Sequence, residues 1–269
     1  MLISVIITTY NWPGALEMAL RSLNRQSIDN FEVIIADDGS STDTSAMIQA
    51  LRSELKFPVK HVWQEDCGFR AAEIRNKAFL KSSGDYIIFM DGDCFTLPDF
   101  LKGHQKFCEN GWLTVGRRSF LRERFSKQLL STGYRAAFSN RGLMFAKILF
   151  GGGNRPLQLL SIPVSYKTRR SKFNELDKAQ TCNLGVWRSD FIKVGGFDES
   201  YNEYGLEDTD LLCRLYRSGV KRITLDHLDP VLHLWHPRKK RTDKTSSLID
   251  GVLTSDRTLP IKSALRNSL

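Results

Sequence analysis

Tyr86-Ile-Ile-Phe-Met-Asp91-Gly92-Asp93 is a short apolar run that ends in two carboxylates two positions apart. A run of this length and composition, bounded by Gly and Asp, suits a buried strand. In a mostly parallel α/β sheet, ligands bind just outside the carboxyl ends of the strands. Two acids at such an end, with a Gly between them that allows close backbone approach, suit a divalent cation holding a diphosphate. Asp and Gly are also ordinary turn formers, so the meaning of the run depends on what surrounds it.

The preceding residues alternate between strand and helix. Ile3 to Thr8 and Phe31 to Ala36 are strands of the fully buried kind, and Val59 to Trp63 is a third. Between them the spacing predicts helices from about Pro13 to Gln26, from the capping-rich Asp37-Asp38-Gly39-Ser40-Ser41-Thr42-Asp43 to about Lys56, and from Arg70 to Ser82. Strands alternating with helices of this length mean βαβ units, an α/β class and a mostly parallel sheet. Alternation is lost from about Arg117 to Glu175. The segment 111–178 therefore reads as an inserted helical or loop region, with Gly151-Gly152-Gly153 as a flexible connection. Order returns at Ala179 to Trp187, and a helix is expected from Glu207 to Ser218. The expected organisation is a single domain over residues 1–240: a nucleotide-binding half to 110, the insertion, and a second half from 179. A loosely held basic tail, 241–269, follows.

Composition narrows the function classes. The chain has 269 residues, 41% of them hydrophobic and 26% charged, as in an ordinary globular protein. No stretch approaches the eighteen or so apolar residues of a membrane span. The N-terminal run lacks a basic region before it and reads as a strand rather than a signal peptide. Five cysteines without a CxxC pair fit reduced thiols in a cytoplasmic protein. The net charge of +9 is uneven. Thr114 to Lys172 holds thirteen Lys or Arg against one acid, Glu123, interleaved with apolar Phe138, Leu143-Met144-Phe145 and Ile148-Leu149-Phe150. Basic charge mixed with apolar residues suits peripheral contact with an anionic membrane surface better than a nucleic-acid patch, and no nucleic-acid partner is expected.

Several residues carry candidate chemistry. Asp37 and Asp38 end the second strand, on the same sheet edge as Asp91 and Asp93. A carboxylate there can accept the imide N–H of a uracil ring, although the same residues favour helix capping. Thr8 and Tyr10 end the first strand beside them. Arg70, Arg75 and Asn76 start the third helix, either as contacts to a nucleotide or as ordinary surface residues. Glu207 and Asp208 follow Gly205 at a helix start, where the dipole favours acids and a carboxylate can point into a cleft. His233 and His236 stand three apart. Strand alternation would put them on opposite faces, so one of them, beside the two Asp, would complete a mixed oxygen/nitrogen site for Mn²⁺ or Mg²⁺.

In order, Ser4-Val-Ile-Ile-Thr8-Thr-Tyr10-Asn11, Asp37-Asp38-Gly39-Ser40, Asp91-Gly92-Asp93 and Gly205-Leu-Glu207-Asp208 resemble family 2 glycosyltransferases of the GT-A fold. Gly195-Gly196-Phe197-Asp198-Glu199 with Glu207-Asp208 resembles the C-terminal segment of galactosyl- and N-acetylgalactosaminyltransferases. The stretch from Gln64 to Asn76 and His233-Leu-Trp-His236-Pro237 are similar to bacterial members that build lipopolysaccharide or capsule. The resemblance covers roughly 2–110 and 179–240. It implies that Thr8, Tyr10, Asp37 and Asp38 bind the uridine of a UDP-sugar. It further implies that Asp93 is the main metal ligand, with Asp91 on ribose or metal and His233, in preference to His236, as a further ligand. Asp208 would be the catalytic base and Glu207 a contact to sugar or acceptor. The expected reaction is inverting transfer of a hexose or N-acetylhexosamine to an oligosaccharide or lipid-linked glycan, in a cytoplasmic enzyme at the inner face of the membrane. Tyr204 and Leu206 depart from the family's usual residues and leave the sugar open. Two other readings compete: a non-catalytic relative that binds nucleotide sugars or glycans, and a basic nucleic-acid-binding protein.

Overall fold

A computed structural model describes residues 1–132, 141–160, 162–170, 180–202, 205–237 and 251–265. In chain order the first half runs β1 (Ile3–Thr9), α1 (Pro13–Leu23), β2 (Phe31–Asp37), α2 (Thr42–Leu51), β3 (Val59–Trp63), α3 (Ala71–Lys81), β4 (Tyr86–Asp91), β5 (Cys94–Phe95) and α4 (Phe100–Phe107). The second half continues with β6 (Trp112–Val115), β7 (Arg118–Phe120), α5 (Glu123–Thr132), α6 (Arg141–Lys147), α7 (Tyr166–Arg169), β8 (Leu184–Trp187), α8 (Arg188–Lys193), α9 (Glu207–Arg217), β9 (Lys221–Thr224) and β10 (Val231–His233).

The main sheet has the order β3-β2-β1-β4-β8-β6-β9. β1 to β4 are parallel, β8 is antiparallel to both of its neighbours, and β9 is parallel to β6. β1, β2 and β4 are apolar on both faces because both faces are covered. Val5, Ile7, Val33 and Ile88 pack with α1, α2 and α4, while Ile6, Ile34, Ile87 and Phe89 pack with α3, α8 and α9. The parallel register sets Thr8 beside Asp91 and Thr9 beside Asp37, so the strand-end acids share one edge as the sequence implied.

A second sheet, β5-β10-β7, hangs from that edge. Gly92 makes the crossing possible: its N–H donates to Thr8 O at 2.7 Å, and a Cβ there would stand 2.9 Å from the same carbonyl. Phe95, Leu121, Phe125, Met144, Ile148 and Leu232 form the core beneath this small sheet.

The structure corrects three expectations. β6 and β7 both arise inside the stretch read as insertion, yet β6 is an inner strand of the main sheet and β7 an edge of the small one. Strands of four and three residues are too short to show a period, and their place is decided by long-range pairing. The triple glycine is a close-packed turn. Arg122 N–H donates to Gly152 O at 2.8 Å, and a Cβ on Gly153 would lie 2.7 Å from Phe120 O. The tail is also docked over 251–265. Leu265 enters the main core, Glu199 N–H donates to Lys262 O at 2.7 Å, and Arg257 pairs with Asp198 at 2.8 Å and Asp210 at 2.7 Å.

If the tail is part of the folded unit, Leu265→Ala is expected to cost about 2–5 kcal/mol in urea denaturation, the usual range for truncating a buried Leu. A midpoint equal to that of the wild type would mean that the segment is not held.

Candidate functional site

The site is built on the strand ends of the main sheet, where α3 and α9 meet. Arg75, on the buried face of α3, is its organising side chain. Nε donates to Thr8 Oγ1 at 2.8 Å, Nη1 to Glu207 Oε1 at 3.2 Å and Asp208 Oδ1 at 3.5 Å, and Nη2 to Asp91 Oδ1 at 3.4 Å. Burial opposes the Arg75 charge, but Asp208, Glu207 and Asp91 outweigh it and raise the pKa. Asp208 is held from its other side by Thr181, whose backbone N–H reaches Oδ2 at 3.1 Å and whose hydroxyl reaches Oδ1 at 2.8 Å. Glu207 also accepts from Gly205 N–H at 3.0 Å. Burial, with Asp208 beside it, pushes the Glu207 carboxyl up to about 7 against the opposing pull of Arg75.

The edge near β1 and β2 is arranged differently from the sequence-based expectation. Asp37 is buried and committed internally: Oδ1 accepts from Ser40 N–H at 2.8 Å and Oδ2 faces His61 Nε2 at 2.9 Å. Burial would raise its pKa, but the hydrogen bonds from His61 and Ser40 lower it. Asp38 accepts from Gln64 Nε2 at 2.6 Å and from Arg70 N–H at 2.9 Å, and burial raises its pKa. The Arg70 contact to Asp38 is thus a backbone one, while its guanidinium pairs with Glu73 at 3.3 Å. Tyr10 is half exposed at the cleft mouth, its hydroxyl donating to Asp66 Oδ2 at 2.8 Å. Asn76 leaves the candidate set. It is fully buried, donating to Phe197 O, Glu199 Oε1 and Ser263 Oγ and accepting from Phe197 N–H, so its amide ties the docked tail to α3.

On the small sheet, Asp93 Oδ2 lies 3.4 Å from His233 Nε2 and 3.2 Å from His236 Nε2. Both histidines therefore face the same carboxylate. The opposite-face expectation failed because β10 ends at His233, and past it the chain no longer alternates. Cys94 stands directly across from His233 and its thiol reaches Asp93 Oδ1 at 3.4 Å. Burial lowers the His233 pKa to about 4, keeping the imidazole neutral as a metal ligand requires. Its Nδ1 is buried, with no hydrogen-bond partner among the described residues. Asp93 is held low by His236 and His233 in spite of burial. Asp91 is pushed up to about 6 by burial, Arg75 pulling the other way and Asp93 and Asp208 adding to the rise. The ligand atoms of Asp93, Cys94 and His233 lie within 4.8 Å of one another, and His236 reaches the same carboxylate from beside them. This donor set suits a divalent ion, with Asp91 next to Asp93 in the Asp-Gly-Asp turn.

Sequence reasoning missed Thr181 and Arg118. Neither stands in a quoted motif, and each is brought in by a short strand or turn whose position only pairing reveals. Tyr204 lies outside the described residues, while Leu206 is buried at the start of α9.

Comparison with known proteins decides the family. Residues 4–183 match the family described as Glycosyl transferase family 2, and residues 166–237 match the one described as N-terminal domain of galactosyltransferase. The chain belongs to glycosyl transferase family 2. It is 27% identical over 234 residues to validoxylamine A glucosyltransferase of Streptomyces hygroscopicus subsp. jinggangensis, covering 81% of this chain and 52% of that protein. It is 26% identical over 234 residues to chondroitin synthase of Pasteurella multocida, covering 81% of this chain and 23% of that one. The chain thus spans about half, or less, of the length of these two relatives. Among solved structures, GalNAc-T7 with UDP, GalNAc and Mn²⁺ superposes with a TM-score of 0.62 at 13% identity, covering 94% of this chain and 47% of that one. That likeness establishes the fold, a mostly parallel α/β sheet of the GT-A kind flanked by helices.

The raised Glu207 pKa has a consequence for stability. An acid with a folded pKa above its unfolded value contributes stability that is full below about 4.5, the ordinary value for Glu, and is lost as pH rises through about 7. Glu207→Gln lacks that loss. Its Tm relative to wild type is expected to rise between pH 5 and pH 8 in metal-free buffer, and a pH-independent difference would show that Glu207 is not buried as an acid.

Proposed function

We propose that this chain is an inverting, metal-dependent glycosyltransferase that moves a hexose or N-acetylhexosamine from a UDP-sugar to a hydroxyl of a bacterial cell-surface glycan. The acceptor would be a lipopolysaccharide core or capsule oligosaccharide, free or lipid-linked. The observation that carries the reading is the convergence, within one Arg75-centred cluster, of a candidate base with carboxylates beside a metal-type site. Mn²⁺ or Mg²⁺ bound by Asp93, His233 and His236, with Asp91 beside it, would neutralise the diphosphate and make it a better leaving group. Asp38 and Tyr10 would hold the uracil. Asp37 supports them from beneath, since its own oxygens are already used.

Asp208 takes the acceptor hydroxyl proton as the oxygen attacks the anomeric carbon. Thr181 and Arg75 fix the carboxylate's orientation, so little reorganisation is needed at the moment of transfer. Attack by one nucleophile with one base inverts the centre, and an α-linked donor then yields a β-linkage. The carbon passes through an oxocarbenium-like state. Glu207 contacts sugar or acceptor hydroxyls from the next position on α9.

The basic segment supports a place at the inner face of the cytoplasmic membrane. Leu149, Phe150, Leu157 and Ile162 expose apolar surface, Phe150 at 87%, next to Lys147 and Arg155. Residues 152–154 are hydrogen-bonded to β7 and the residues after it, and β7 pairs with the strand that carries His233, so a lipid-linked acceptor would be delivered beside the metal-type site. No helix among the described residues is long and apolar enough to cross a membrane. Phe150→Asp is expected to abolish sedimentation with phosphatidylglycerol-containing vesicles while leaving UDP affinity unchanged. Unchanged sedimentation would remove the membrane from the proposal.

Calorimetric titration of UDP with and without Mn²⁺ tests the donor site. Binding should need the metal and be lost in Asp93→Ala, and Asp208→Asn should keep UDP affinity while kcat falls by about 10²–10⁴-fold. Absence of UDP binding under either condition would sink the uridine assignment.

A further inference from the structure

Arg118 begins β7, pairs with Val231 of β10 and shares a face of the small sheet with Phe120 two positions on. Phe120 in turn stands opposite His233, with ring centroids 5.0 Å apart, and His233 stands opposite Cys94. The Arg118 guanidinium lies over the Phe120 ring, 4.4 Å from its centroid, so a flat cation is stacked one place away from the histidine of the metal-type site. Its Nε is buried, with no hydrogen-bond partner among the described residues. Among the described residues no carboxylate lies within ion-pair distance of it, whereas Arg75 engages three. Burial works against the Arg118 charge, yet the nearby Cys182, Cys94, Asp91 and Asp93 raise its pKa, which places the guanidinium within electrostatic reach of the site. The same proximity helps to lower the pKa of His233.

We propose that Arg118, reaching the metal-type site from β7 as Arg75 reaches Asp91 from α3, is a second cationic contact for the diphosphate of the donor. The proposal rests on the nucleotide-sugar reading above and adds a residue to it. The argument is one of charge and valence. A guanidinium offers five N–H donors in a planar fork that matches phosphate oxygens, and one left without a carboxylate in a part-buried position is an unfilled anion site. Once a divalent ion joins Asp93 there, two positive charges from the ion and one from Arg118 stand against Asp93 and Asp91, and Asp91 is already shared with Arg75. A diphosphate supplies the missing negative charge. As the glycosidic bond breaks and charge grows on the β-phosphate, Arg118 would hold the leaving group without moving.

Two affinities that should change in opposite directions test this on Arg118→Gln. Removing a cation should leave Mn²⁺ binding to the free protein unchanged or tighter, because repulsion near Asp93 and Asp91 falls. Binding of UDP and of inorganic pyrophosphate in the presence of Mn²⁺ should weaken at least tenfold, with Arg118→Lys intermediate. Parallel weakening of Mn²⁺ and UDP would overturn the proposal and make Arg118 a brace for the carboxylates, as would UDP and pyrophosphate affinities unchanged in Arg118→Gln. Arg118→Lys keeps the charge and serves if the Gln variant folds poorly. The pyrophosphate arm separates the two readings. Wild-type protein that binds pyrophosphate but not UDP loses the uridine assignment while Arg118 is still judged on pyrophosphate, and wild type that binds neither overturns both.

Discussion

The contacts of Arg75 are the constraint on which the site depends. One buried guanidinium touches Thr8 on β1, Asp91 at the end of β4, and Glu207 and Asp208 at the start of α9. Asp208 lies 133 positions from Arg75 along the chain, and among the described residues no other single side chain of the cluster reaches all of them. Gathering carboxylates into a low-dielectric place is unfavourable, since each pushes up the pKa of the next and burial adds to the effect. The cation makes the gathering tolerable, and removing one partner from such a buried cluster typically costs about 3–5 kcal/mol. The residual strain is visible in the raised pKa values of Asp91 and Glu207.

Around this centre the fold divides its labour between two sheets. The main sheet supplies rigid parallel strands whose ends carry Thr8, Asp38 and Asp91. The small sheet carries Asp93 just before it and His233 within it, and its attachment to the main sheet passes through Gly92, where a side chain would strike Thr8. The metal-type residues therefore stand at the joint between two layers, one packed on α1, α2 and α4 and the other on α5, α6 and the Ala15–Met18 face of α1. The docked tail braces the opposite side. Arg257 ties it to Asp198 and to Asp210 on α9, and Asp210 also pairs with the fully buried Arg214. The helix that bears Asp208 is thereby held at its first turn from two directions.

The parallel half was legible because its signals are local. Buried strands, capping-rich turns and a strand ending in Asp-Gly-Asp each announce themselves within about ten residues, and the first four strands fall within a residue of where the pattern puts them. The placing of Asp93, His233 and Asp208 at element ends was legible for the same reason. Asn76 looked like a nucleotide contact from its place in a motif, but a short polar side chain on a helix gives no hint of which face will be covered by a chain segment 187 positions away. That His233 and His236 face the same carboxylate was hidden because the strand ends at the first of them, so alternation does not govern the second.

The sequence by itself determined the α/β class and the positions of the acids, because hydrophobic period and turn chemistry act over a few residues, while its ordered motifs carried the resemblance to the family. Tertiary structure alone decided that β6 enters the main sheet, that the tail is docked, that Asp37 faces inward, and that Arg75, Thr181 and Arg118 surround the site. Those outcomes depend on pairing and burial between residues far apart in the chain, whose free energy exists only once the layers have closed.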